Sequence, residues 1–154
     1  MAVSRRPGSP QSRLERAARR VLAWEGARGA RVELTLLDAI AMRRLHRRVT
    51  GRHALTDVLS FALPQPDGTL LGDVYICPAA ATRWVDNGHR QPRSAARVGP
   101  ASRPGQVAEE LVRLAVHSTL HVLGYDHPEG PGRMRSAMWR RQERYVRRLL
   151  ARGR

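Results

Sequence analysis

Leu114-Ala-Val-His117-Ser-Thr-Leu-His121-Val-Leu-Gly124-Tyr-Asp-His127 gathers three of the chain's six histidines into one short stretch. Residues four apart on a helix share a face about one turn apart, so His117 and His121 can turn their rings to a common point. Gly124 can take the left-handed conformation that ends a helix, and a reversal there brings His127 back towards the other two. The expected geometry is a three-imidazole cup open on one side. That is the donor set of a catalytic zinc site, with three protein ligands at about 2.0–2.1 Å and one open position. A lone histidine on an apolar helix is ordinarily a satisfied core residue; a pair at i, i+4 followed by Gly and a third His is not read that way.

The pattern H-x-x-x-H-x-x-G-x-x-H carries the ligand spacing of the metzincin proteases. Those enzymes place a general-base Glu directly after the first His, and here that position is Ser118. The departure argues against ordinary peptide hydrolysis, though not against hydrolysis.

Working outward, Val107 to Leu123 reads as a helix that is apolar on most sides past Leu111, with Glu109, Glu110 and Arg113 near its start. Such a helix is expected to be buried, with the histidine pair at the rim of the core. Before it, Asn87 to Gln106 is rich in Gly, Pro, Ser and Arg and reads as a flexible loop or mobile lid. After it, Gly132 to about Ala151 reads as an amphipathic closing helix, with Met134, Met138, Tyr145, Val146, Leu149 and Leu150 on one side and mostly Arg on the other.

Towards the N-terminus, residues 1–12 read as a disordered tail and 13–152 as one domain. Leu14, Ala18, Val21, Leu22 and Glu25 trace a first helix, ended by Gly26 and Gly29. Arg31 to Leu37 alternates as a strand with Val32, Leu34 and Leu36 inward. Asp38 is the expected N-cap of a helix to about Val49 carrying Ile40, Met42 and Leu45. Thr56–Leu63 and Thr69–Cys77 read as a hairpin around a turn at Pro64–Gly68. Gly72 within the second strand marks a bulge or a close approach to another group. Pro78 fits the first turn of a further helix to about Asp86.

The net charge is +15, and every one of the 28 basic residues is Arg. Part of that bias reflects composition, but a planar guanidinium suits phosphate, and an anionic partner such as nucleic acid is expected. No apolar run of about 20 residues is present to span a membrane, and no secretory h-region opens the chain. The single cysteine, Cys77, rules out an internal disulfide framework and fits a reducing cytoplasm.

Three blocks stand in order: Thr56-Asp-Val-Leu-Ser-Phe61, Leu71-Gly-Asp-Val-Tyr-Ile-Cys77 and His117-Ser-Thr-Leu-His121-Val-Leu-Gly-Tyr-Asp-His127. Together they resemble the YbeY family, bacterial metal-dependent endoribonucleases of ribosomal RNA maturation, over roughly residues 14 to 150. The resemblance implies an α+β fold, a small mixed sheet packed with helices, with a zinc site formed by the buried helix and the turn after it. It implies one zinc ion per chain, held by His117, His121 and His127. It also implies cytoplasmic action on single-stranded RNA, notably the 3′ end of 16S ribosomal RNA, a part in ribosome quality control, and small-subunit ribosomal proteins as further partners.

Two departures accompany the likeness. Where the family commonly has Tyr-Arg and then Asp-x-Pro, the chain has Val49-Thr50 and His53-Ala54-Leu55. Arg48 or Arg52, two residues to either side of Thr50, is the candidate to replace that arginine in substrate binding, with Arg52 also a catalytic candidate. Ser118 replaces a usual Gly but stays small. Asp126 and Asp73 are candidates for orienting a histidine ring through its other N–H, Asp126 equally for capping its turn and Asp73 for bonding backbone. Three functions follow as expectations: a zinc-dependent endoribonuclease, a ribosome-associated maturation factor with structural zinc, and a zinc peptidase.

Overall fold

The computed structural model describes residues 6–86 and 103–153. Residues 1–5 of the expected tail and 87–102 of the expected loop lie outside them. Helix α1 (Pro10–Trp24) begins inside the stretch read as tail: Ser9 is its N-cap, accepting the Ser12 N–H, and Pro10 takes the first position, where no N–H is needed. Ser9 and Pro10, read as part of the disordered tail, are a helix start.

Strand β1 (Ala30–Leu36) leads through α2 (Ala39–Thr50) to the hairpin of β2 (Val58–Pro64) and β3 (Leu70–Ile76). The sheet order is β1-β3-β2, with β1 parallel and β2 antiparallel to β3, so the expected small mixed sheet is present and the fold is α+β. The central strand is the most buried. Gly72, Val74 and Ile76 face the core in alternation, and each of the two large side chains contributes about 1.5–3 kcal/mol of burial. The hairpin register runs unbroken past Gly72, opposite Ala62, so there is no bulge. The glycine serves close approach instead: a Cβ there would lie 2.7 Å from Val122 Cγ1.

Helix α2 starts at Asp38, whose carboxylate accepts the Ala41 N–H. Its inner stripe is Met42, Leu45 and His46. Ile40, expected on that stripe, is 65% exposed, because two residues along a helix is a turn of about 200°. His46 is buried, its Nδ1 2.6 Å from the Ala54 carbonyl.

After α3 (Pro78–Asp86) and the undescribed residues comes α4 (Arg103–Val122). The segment 103–106, assigned above to the loop, forms its first turn, where Pro104 needs no hydrogen-bonded N–H. Helix α4 is the axle of the molecule. Leu114, Ala115 and Val122 pack with Leu14 of α1, Ala81 of α3 and the inner faces of β1 and β3. Val116 and Leu120 pack the other way, against Val21 and the Met138, Tyr145 and Val146 side of α5 (Ala137–Arg152). The closing helix therefore starts later than expected. Gly130–Arg135 forms a 3₁₀ turn, Ser136 caps α5, and Met134 lies in the turn, 44% exposed, rather than on the buried stripe. No helix among the described residues is long and apolar enough to cross a membrane.

Candidate metal centre

Helix α4 ends as its sequence requires. Gly124 has φ +96°, its N–H bonds the His121 carbonyl, and the Tyr125 N–H bonds the Leu120 carbonyl. This paired Schellman closure turns the chain back on itself. Ligating atoms of His117, His121 and His127 then all lie within 4.8 Å of one another, as the spacing predicted.

Each ring is held through Nδ1. His117 Nδ1 is 2.7 Å from Gln142 Oε1, His121 Nδ1 is 3.0 Å from the Tyr125 carbonyl, and His127 Nδ1 is 3.1 Å from the Pro128 carbonyl. Carbonyl oxygens only accept, so the proton sits on Nδ1 of His121 and His127. The Gln142 amide is oriented by its own NH₂, 3.3 Å from the acceptor-only Glu143 carboxylate, which leaves Oε1 to accept from His117. In the neutral form of each ring, a proton on Nδ1 leaves the lone pair on Nε2. His121 and His127 bring theirs to 3.2 Å, a repulsive contact unless a cation joins them. Two nitrogens bound at about 2.0–2.1 Å to a tetrahedral ion stand about 3.3–3.4 Å apart, so the donor set fits zinc.

The charge state fits as well. Burial, followed by the neighbouring His121, Arg133 and His127, pushes His117 down to about 3. Burial and then His127 lower His121 too. Neutral imidazole is the ligating form.

Behind the rings lies a buried ionic web. Gln142, 1% exposed, leads to Glu143, which receives Arg113 through both Nε and Nη2 at 2.9 and 3.1 Å; Arg113 Nη1 reaches Glu110 at 3.0 Å. Desolvation opposes the Arg113 charge, but the bonds and fields of Glu143 and Glu110 outweigh it and hold the guanidinium firmly protonated. On the other side, Tyr125 and Tyr145 donate their hydroxyls to Glu25, which also pairs with Arg141 at 2.9 Å. That cluster ties the turn between His121 and His127 to α1.

A cleft of about 590 Å³ opens beside His117, lined among others by Asp57, Trp84, Glu110, Arg133, Met134 and Trp139. The other sequence candidates sit elsewhere. Asp126 accepts the backbone N–H of His127, so it caps its turn. Asp73 accepts the Tyr75 hydroxyl. Neither orients a histidine ring; Gln142 does that for His117. Arg48 and Arg52 are exposed and outside the cleft lining. Thr50 closes α2, its hydroxyl donating to the His46 carbonyl and accepting the Arg52 N–H. Ser118 is fully buried, its hydroxyl turned onto the Leu114 carbonyl.

Sequence reasoning missed Gln142, Glu143 and Glu25. A signal existed for Gln142, which falls on the Met138–Tyr145–Val146 stripe at helical spacing. Glu143 is the one acid in α5.

A family model described as endoribonuclease YbeY matches residues 5–150. The chain is similar to the endoribonuclease YbeY of Moorella thermoacetica, 39% identical over 79% of this chain and 76% of that protein. It is 35% identical to the Mycolicibacterium gilvum protein of that name, over 65% of this chain and 54% of the relative. To the Anaeromyxobacter one it is 39% identical, over 77% and 55%. The chain therefore spans little more than half the length of the last two. Its backbone also resembles the solution structure of TM1509 from Thermotoga maritima, with a TM-score of 0.62 and 22% identity over 96% of this chain and 87% of that one.

Proposed function

The chain belongs to the endoribonuclease YbeY family, and on that premise we propose that it is a zinc-dependent endonuclease of single-stranded RNA. Its place is ribosomal RNA processing at the 16S 3′ end and ribosome quality control, in the cytoplasm. The observation that carries the reading is the convergence of three imidazoles, each locked through Nδ1 and offering Nε2. His117, His121 and His127 would hold one zinc ion, which when bound supplies Lewis acidity to polarise a phosphoryl oxygen.

The chain's own residues do the rest. Gln142 fixes the tautomer and direction of His117, and the Tyr125 carbonyl does so for His121. Leu114 and Trp139, both buried, form part of the wall of the cleft beside His117. Arg48 and Arg52, exposed at the end of α2, are proposed contacts for RNA backbone outside the cleft. The peptidase reading lacks its base, since the Ser118 hydroxyl is buried and bonded to backbone.

The test is purified protein with single-stranded RNA and with casein, each with and without chelator. RNA cut only when metal is present, with casein intact, is the expected result. Zinc-loaded protein that leaves RNA whole would overturn the proposal in favour of a maturation factor with structural zinc.

A further inference from the structure

The closing helix carries its charge on the side away from the metal centre. At about 100° per residue, Arg140, Arg144, Arg147 and Arg148 of α5 fall within an arc of about 100°, and all four are exposed. Met138, Gln142, Tyr145 and Val146 hold the other side in the core. The one acid of α5, Glu143, is 3% exposed and receives Arg113. Helix α1 extends the surface. Trp24 has its ring centroid 5.1 Å from that of Tyr145, and the Arg148 guanidinium lies 4.2 Å from it, so the flank of α1 that carries Trp24 is turned to α5. Arg16 and Arg20 stand on that flank at the spacing of successive turns, both exposed. Glu15, the one acid of α1, is on the opposite flank, where it lines a groove with Arg19 and β1. Glu25, at the junction, is already taken by Arg141 and two tyrosine hydroxyls.

Like charges one turn apart repel, and Arg16 with Arg20, Arg140 with Arg144 and Arg144 with Arg148 are such pairs. A polyanion removes that cost. The apolar sides of both helices are buried in the core, so neither has a stripe left to enter a lipid surface. The planar guanidinium fork matches phosphate. The surface also lacks an open stacking platform: Trp139 and Tyr145 are buried, and Trp24 is half-buried against Tyr145 and Arg148. Single strands are held by stacking bases on rings as well as by charge. Duplex RNA is recognised by its shape and its backbone. Cations in a row without a ring therefore suit a duplex.

Resting on the reading of the chain as an RNA nuclease, we propose that the arginine surface of α1 and α5 docks the phosphate backbone of an RNA duplex flanking the single strand to be cut. Gln142, which steers His117, is on the buried side of the same helix. The docking surface and the metal centre are therefore separated by about one helix diameter, ~10 Å. A strand that leaves the duplex can reach the histidines without the duplex entering the cleft.

The experiment uses zinc-loaded protein and three probes: a blunt RNA duplex, a short unstructured RNA and phosphatidylglycerol vesicles. Duplex binding is read by fluorescence anisotropy across a salt series, and cleavage of the short RNA by steady-state kinetics, with thermal melting of every variant. Wild type is expected to bind the duplex, and the duplex to leave cleavage of the short RNA uninhibited. The variant Arg20→Gln/Arg144→Gln/Arg147→Gln spares Arg140, which bonds the Arg135 carbonyl, and Arg148, which lies over Trp24. It should weaken duplex binding about tenfold and flatten the slope of log affinity against log salt by about 2–3, at about 0.9 per lost phosphate contact. Its kcat/KM on the short RNA should match wild type. If it melts early, Arg144→Gln/Arg147→Gln serves, with a slope change of about 1.8. Arg19→Gln/Arg28→Gln/Arg31→Gln removes the same charge on the β1 side and should keep duplex affinity. Equal losses in the two triple variants would reduce the effect to net charge and overturn the docking surface. Competition between the duplex and the short RNA would overturn it too, as would vesicles bound as tightly as the duplex. Duplex binding as predicted by a wild type that cuts no RNA would sink the nuclease reading and leave the surface standing.

Discussion

His117 and His127 face the same point from opposite kinds of structure. His117 is 7% exposed, sits in the helix that both halves of the core pack against, and is steered by Gln142 on another helix, 25 residues away. His127 is half-buried on a turn, and its bonds are to the backbone of Pro128 and the carboxylate of Asp126, its immediate neighbours. A candidate metal centre built this way has one wall in a buried helix and one on a surface turn. The helix wall is part of the core; the turn wall is assembled by the reversal that Gly124 permits.

The largest effect should come from removing one ligand on each side. Either His117→Ala or His127→Ala should abolish zinc binding and RNA cleavage. In metal-free protein, however, His117→Ala should lower stability by about 2 kcal/mol, because Gln142 is left buried without its donor. His127→Ala should stay within about 0.5 kcal/mol of wild type. Urea unfolding of the chelated variants checks this, and equal losses would break the contrast between the two walls.

Next in size are the supports. Gln142→Leu keeps the volume but frees the His117 ring, and should weaken zinc affinity about 10–100-fold. Asp126→Asn, on the turn, should leave it unchanged, because the Asn side-chain oxygen can still cap the His127 N–H. Competition with a chelating dye measures both.

The smallest effect tests how the turn is moored. Burial pushes the Glu25 carboxyl up, but hydrogen bonds from Tyr125, Tyr145 and Arg141 outweigh it and hold the pKa below the usual carboxylate value. A depressed carboxylate contributes stability that is fully present above its unfolded pKa, about 4.3, and is lost as pH falls through the folded value. Glu25→Gln should therefore lower stability near neutrality and flatten its decline on acidification below about pH 4.3. A melting series from neutral pH downward that keeps the wild-type slope would detach Glu25 from the turn.

How much of this was legible depends on the distance over which each feature is determined. The histidine spacing, the Gly124 reversal, the Asp38 cap and the β2–β3 hairpin are local, and a few consecutive residues dictate them. Gln142 and Glu143 were hidden because polar residues in an arginine-rich helix read as solvated. Only the packing of α5 on α4 shows them buried against His117 and Arg113. Asp73 and Asp126 each had two roles open to them on the sequence, and the folded chain shows Asp126 capping its turn at the His127 N–H and Asp73 accepting the Tyr75 hydroxyl. Arg133 follows the same rule, since its place in the cleft comes from a 3₁₀ turn that the reading took for the start of an α-helix.

The central claim is that His117, His121 and His127 hold one metal ion through Nε2, and elemental analysis of purified protein tests it most directly. The account predicts one zinc per chain in the wild type and none in His121→Ala, with the folded state of that variant retained by circular dichroism. Wild-type protein without bound metal after zinc loading, or a His121→Ala variant with undiminished zinc, would contradict it.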